Sequence, residues 1–166
     1  FTIHGLWPEY NNGLWPEFCD AANATTSGGA DDSEQQKCEW PSFKGSVCPA
    51  CMCRRADAGF WDHEWQRHGT CARPITGDRP SFFQAVMRLH EKYDLDVALS
   101  EAGIEPSSAQ TYTSARLSRA VEDAFGVRPM VSCFKGQLLE LWLCVGLDLK
   151  VGLGLPGRRL SICDRW

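Results

Sequence analysis

Residues 60–71 read Phe-Trp-Asp-His-Glu-Trp-Gln-Arg-His-Gly-Thr-Cys and place two imidazoles, a carboxylate and a guanidinium at His63, Glu64, Arg67 and His68. That set suits proton transfer beside an anion. Histidine titrates near neutrality, so it can accept or give a proton, and a fixed cation steadies negative charge as it grows. If Asp62 caps a helix that begins here, a uniform turn of about 100° per residue makes His63 and Arg67 i,i+4 neighbours, and Glu64 and His68 likewise. The four then span roughly 140° of helix surface, narrow enough for one pocket. Trp61 and Trp65 share the same spacing and can anchor the helix in a core. A single Glu–His or His–Arg pair on a helix is commonly a solvated pair. Two histidines, a glutamate and an arginine on one arc, framed by tryptophans, argue for a site.

A metal is the sharpest competing reading, because His63-Glu64 opens the zinc-protease pattern H-E-x-x-H. On an α-helix that pattern needs a histidine at i+4, where this chain has Arg67, and His68 arrives one residue later. On spacing the zinc-protease reading fails, and no metal or other cofactor is expected. Cys48, Cys51 and Cys53, with Cys38 as a fourth ligand, can be read as a zinc knuckle. In a cysteine-rich chain of an oxidising compartment, disulfides are the commoner use.

The elements that must hold these groups follow from composition and pattern. The chain has 166 residues, 43% of them hydrophobic and 23% charged, which suits one domain with a real core. Its net charge of −4 argues against holding nucleic acid by bulk electrostatics but leaves room for one local cationic site. Nine cysteines and a sequon at Asn23 point to the secretory pathway, with a secreted or vacuolar/lysosomal destination. No apolar run approaches the about 20 residues of a membrane span. Opening at Phe1 without a methionine and carrying an odd number of cysteines, the chain reads as lacking its natural N-terminus.

Phe1-Thr2-Ile3-His4 alternates as a strand ending at Gly5-Leu6-Trp7-Pro8, which brings His4 to a strand end; alone, His4 would pass for a polar edge residue. Residues 9–37 are turn-rich and read as a long surface loop. Helices are predicted at 80–93, 95–102 and 113–125, and strands at 129–133 and 137–147, the latter with Leu139, Leu141, Leu143 and Val145 on one face. A strand, then helices, then strands indicates an α+β fold.

Two segments, Phe1-Thr2-Ile3-His4-Gly5-Leu6-Trp7-Pro8 and Phe60-Trp61-x-His63-Glu64-Trp65-x-Arg67-His68-Gly69-Thr70-Cys71, resemble the two active-site segments of the T2 family of ribonucleases, in the expected order. Cys133 and Leu141-Trp142-Leu143-Cys144-Val145 look like its C-terminal strands. The resemblance implies a disulfide-stabilised α+β fold in which helices pack with an antiparallel sheet, as a single domain over 1–166. It implies an endoribonuclease that cleaves single-stranded RNA to a 2′,3′-cyclic phosphate without a metal. In that reading His68 is the base, His4 the acid, His63 a phosphate ligand, and Glu64 and Arg67 support the transition state. Trp7 and Trp15 would stack a base and Glu9 would accept from its edge. The partner is RNA, with DNA inert for want of a 2′-hydroxyl, and a monomer away from membranes is expected. The family commonly has lysine where this chain has Arg67, which keeps charge but changes shape. Cys19–Cys71 and Cys144–Cys163 look like retained family disulfides; Cys48 and Cys133 resemble cysteines that bridge outside this segment, and the pairing of Cys38, Cys51 and Cys53 is open. The acidic balance favours the S-like type. The rival readings are an inactive T2-like binding or defence protein and a secreted zinc module.

Overall fold

The computed structural model describes residues 1–10, 12–20, 34–42 and 57–151. Asn23, Cys48, Cys51, Cys53 and Cys163 lie outside the described residues. The chain divides into two compact units, Phe1–Lys92 and Tyr93–Trp166. No helix among the described residues is long and apolar enough to cross a membrane.

The first unit is built on tryptophan and phenylalanine. Trp40, Trp61, Trp65, Phe82 and Phe83 are buried together with Ile3, Ala72 and Val86. Trp40 directly follows helix α1 (Glu34–Glu39), whose first four residues fall in the stretch 9–37 expected to be surface loop. Trp61 lies on α2 (Asp57–Glu64), and both phenylalanines lie on α4 (Arg79–Lys92). Ring centroids of Trp40 and Phe83 are 5.1 Å apart, and those of Phe82 and Phe83 are 5.3 Å apart. Each such aromatic pair adds about 1 kcal/mol beyond the area it buries. Two of the polar edges are satisfied as well: Trp40 Nε1 donates to the His4 carbonyl and Trp61 Nε1 to the Trp40 carbonyl, both at 2.9 Å, whereas the buried Trp65 Nε1 meets no acceptor among the described residues.

Two local expectations change here. Phe1–His4 does not pair in a sheet. Ile3 N donates to the Glu39 carbonyl at 2.6 Å and the His4 carbonyl accepts from Trp40 Nε1 at 2.9 Å, so this backbone is satisfied by the end of α1. Ile3 is still buried with Thr2 and His4 exposed. Nor does Asp62 cap a helix. It sits within α2, and its Oδ1 takes Arg79 Nη2 at 2.5 Å.

The larger change lies beyond Glu64. Residues Trp65–Gly69 form a π-helical segment, in which Thr70 N donates to the Trp65 carbonyl five residues back. The chain then resumes as α3 (Thr70–Thr76). Gly69 is required at this point, because a Cβ there would run into Trp65 Cε3 and stand only 3.2 Å from Phe82 Cδ1. π-Helical turns are rare and recur at functional sites.

The second unit carries α5 (Leu95–Glu101), α6 (Ser114–Phe125) and the antiparallel strands β1 (Met130–Phe134) and β2 (Gln137–Trp142). Asp94 and Thr113 cap the helices, their side chains accepting from Val97 N and Arg116 N. The hairpin turns at Lys135-Gly136, both with positive φ (50° and 77°), as a two-residue turn matched to strand twist requires. The uninterrupted alternation expected along residues 137–147 is broken by a bulge: Cys133 pairs with Leu138 and Ser132 with Glu140, which leaves Leu139 without a partner and 63% exposed. The bulge resets the face, so that Leu138, Leu141 and Leu143 pack on Leu99, Leu117 and Val121. With helices packed on an antiparallel hairpin, the fold is α+β.

Candidate active site

All five residues singled out for chemistry belong to the first unit, on two segments more than fifty residues apart. Trp7 joins them. Its ring lies 4.7 Å from the His4 ring, edge on, and 5.2 Å from the His68 ring at 34°. Its Nε1 donates to Glu64 Oε2 at 2.8 Å. One indole thus meets a histidine from the first segment, a histidine from the second, and the carboxylate between them. Gly5 makes the approach feasible, since a Cβ there would collide with Glu64 Oε2 and Trp7 Nε1.

Glu64 is 1% exposed. Burial raises its pKa above the ordinary carboxylate value, while the Trp7 hydrogen bond and the charges at His4 and Arg67 pull the other way. His68 is 8% exposed, and burial together with the neighbouring Arg67 cation lowers its pKa from 6.5 to about 4. Its imidazole is therefore neutral over most of the pH range, with a nitrogen lone pair to offer. His63 and His4 are both exposed. Glu9 is exposed too, yet partial desolvation by adjacent protein raises its carboxyl pKa. Trp15 is 60% exposed, and its Nε1 donates to Glu17 Oε1.

The π segment alters which residues are neighbours. Uniform α geometry pairs Glu64 with His68 and His63 with Arg67. Here His63 also comes beside His68, their ring centroids 6.3 Å apart at 82°. One ligand-type atom from each of His63, Glu64 and His68 falls within 4.8 Å of the others. The i+4 requirement of an α-helix does not hold along this segment, because a turn wound with i→i−5 bonds brings a histidine at i+5 to where an α-helix brings i+4. These three side chains can hold a cation. Arg67 leans instead toward residues 14–20, its Nε and Nη2 lying 2.8 and 2.6 Å from Glu17 Oε1.

Residues 1–151 match the Ribonuclease T2 family. The chain belongs to the ribonuclease T2 family. It is 33% identical over 147 residues to ribonuclease DdI of Dictyostelium discoideum, covering 87% of this chain and 61% of that protein. It is 34% identical over 151 residues to ribonuclease 1 of Arabidopsis thaliana, covering 87% and 62%. The chain thus spans less than two thirds of the length of these relatives. The structure of RNase NT, solved in complex with 5′-AMP, superposes with a TM-score of 0.71 at 30% identity, over 90% of this chain and 72% of that one. The match to the T2 family runs through both compact units.

Cys19 and Cys71 form a disulfide, with Cα atoms 5.0 Å apart. Cys38 and Cys144 are also disulfide-bonded. That removes Cys38 as the fourth thiolate of a zinc knuckle, while the expected partner of Cys144, Cys163, lies outside the described residues. Cys133 is free and exposed. Two contributors escaped sequence reasoning: Glu17, which holds Arg67, and Trp40, which holds the His4 carbonyl. Both act across 36 to 50 residues of chain, and neither lies in a periodic pattern. The one available hint was that an acidic residue stands two places before Cys19.

Proposed function

We propose that the chain is a secreted endoribonuclease that cleaves single-stranded RNA by transphosphorylation. The observation that carries this reading is the convergence of His4 and His68 on the Trp7 ring, with Glu64 fixed beside them. Neutral His68 takes the ribose 2′-hydroxyl proton, and the 2′-oxygen forms a bond to the adjacent phosphorus. The bond from phosphorus to the 5′-oxygen breaks, and protonated His4 gives its proton to that leaving oxygen. The products are a 2′,3′-cyclic phosphate and a free 5′-hydroxyl, with both histidines changed by one proton. His63 binds a phosphoryl oxygen, and Arg67 with Glu64 balances the charge that builds there. Exposed Trp15 stacks a base, with Glu9 at its edge. Trp7, whose ring meets both histidines, holds them in place as well as bordering the base. DNA is inert, because it lacks the nucleophile.

The test is incubation with single-stranded RNA in excess EDTA, followed by end-group analysis. Cleavage is expected to persist and to leave 2′,3′-cyclic phosphate, because the nucleophile is supplied by the substrate. This is a sharp test given that His63, Glu64 and His68 can hold a cation. Activity abolished by EDTA and restored by zinc would refute the mechanism.

The pH profile follows from His68. As base it must be neutral, so kcat/KM rises with pH through the pKa of the free protein and its acid limb is expected at about 4. A bound phosphate anion counters the Arg67 charge and raises the His68 pKa, so the acid limb of kcat is expected at higher pH than that of kcat/KM. An acid limb of kcat/KM at 6.5 or above would remove His68 as the base.

A further inference from the structure

We propose that Glu17 is a positioning residue that holds the Arg67 guanidinium by one edge and turns its other edge toward the substrate phosphate; this rests on the transphosphorylation reading above. A guanidinium has a side edge, formed by Nε and one terminal nitrogen, and an end edge formed by the two terminal nitrogens. Glu17 Oε1 takes the side edge, at 2.8 Å from Nε and 2.6 Å from Nη2. Among the described residues no group is bonded to the end edge. That edge matches two phosphate oxygens in a bidentate contact. An ammonium has no second planar edge, so a clamp of this kind suits the arginine found here better than a lysine.

The clamp is itself held. Trp15 Nε1 donates to the same Glu17 oxygen at 3.2 Å. Phe18, at the positive φ of 53°, donates its backbone N–H to the Arg67 carbonyl at 2.9 Å. One residue on each side of Glu17 therefore fixes the carboxylate's position relative to the π segment. The Arg67 hydrogen bond keeps the Glu17 carboxyl below the usual carboxylate range, so it stays ionised when the phosphate arrives. Glu17 thus joins the exposed Trp15 ring to the cation and sets the spacing between base and phosphate.

The test is a double-mutant cycle on Glu17→Gln and Arg67→Ala, with steady-state kinetics on a short single-stranded oligoribonucleotide and end-group analysis of the products. Glu17→Gln is expected to lower kcat about tenfold while moving KM less than about threefold, and to cost nothing further beside Arg67→Ala. The same loss in both backgrounds, or no loss in either, overturns the proposal. Where Glu17→Gln fails to fold, the cycle is run with Glu17→Asp, which keeps the charge and withdraws the carboxylate by one methylene. About threefold in kcat, again absent beside Arg67→Ala, is then expected, and an additive loss overturns the proposal. Failure of the underlying reading looks different: the unsubstituted protein would then leave no cyclic phosphate ends.

Discussion

His68→Ala is expected to lower kcat by about two to four orders of magnitude, the range over which a positioned general base contributes. The substituted protein should retain its fold, although the ring is buried against Trp7 and its removal leaves a small cavity. For that reason His68→Asn, closer in shape, should accompany it, and both should be compared with His4→Ala. His4 is exposed, so its loss should leave thermal stability nearly unchanged while costing a similar factor in rate. The residual activity carries a second signature: with the base gone, the acid limb expected at about pH 4 should disappear from kcat/KM. A folded His68→Ala protein that turns over within about tenfold of the unsubstituted chain would take His68 out of the reaction.

The residues themselves were legible in the sequence, and their arrangement only in part. The grouping of His63, Glu64, Arg67 and His68 needs only chain proximity, and the burial of Trp61 and Trp65 follows from helical spacing. The helices at Arg79–Lys92 and Ser114–Phe125 were visible because amphipathic periodicity, helix caps and Gly126 are local signals. The π turn left no such signal. It seats Gly69 against Phe82 of α4, a tertiary contact that neighbouring letters do not carry. Its consequence was the misjudged geometry: His63 and His68 were placed by an α-helical rule and meet by a different one. The bulge at Leu139 escaped for a related reason. An alternating run of leucines looks the same whether or not one residue is extruded, and the pairing strand decides which of them face the core. Trp40, in turn, stands just past the stretch 9–37 that reads as loop, in no periodic pattern, and its burial comes from packing against α2 and α4.

Removing the Cys19–Cys71 disulfide, as Cys19→Ala with Cys71→Ala, is expected to destabilise the protein by about 4 kcal/mol in the chain-entropy model, given a separation of 52 residues. Each of the other links between residues 14–20 and the helical segment is weaker, the half-exposed Glu17–Arg67 pair included. The Phe18 N–H to Arg67 carbonyl bond contributes about 1 kcal/mol. The Arg73–Asp20 ion pair is partly exposed and screened, and contributes about 0–1 kcal/mol. The disulfide therefore dominates, and its loss should free the segment that carries Trp15 and Glu17 before it disturbs the tryptophan core. Two measurements separate these effects. Urea unfolding should give a lower midpoint with a steeper slope if the native core is intact, since the unfolded chain without the bridge is less compact and exposes more surface. Under conditions where the variant remains folded, KM should rise through loss of the Trp15 platform and kcat should fall through loss of the Arg67 clamp. A variant with full stability but impaired kinetics would show that the bridge serves the site alone. One that loses about 4 kcal/mol yet keeps both constants would show that the remaining bonds suffice to hold residues 14–20 in place, and would detach the disulfide from the chemistry.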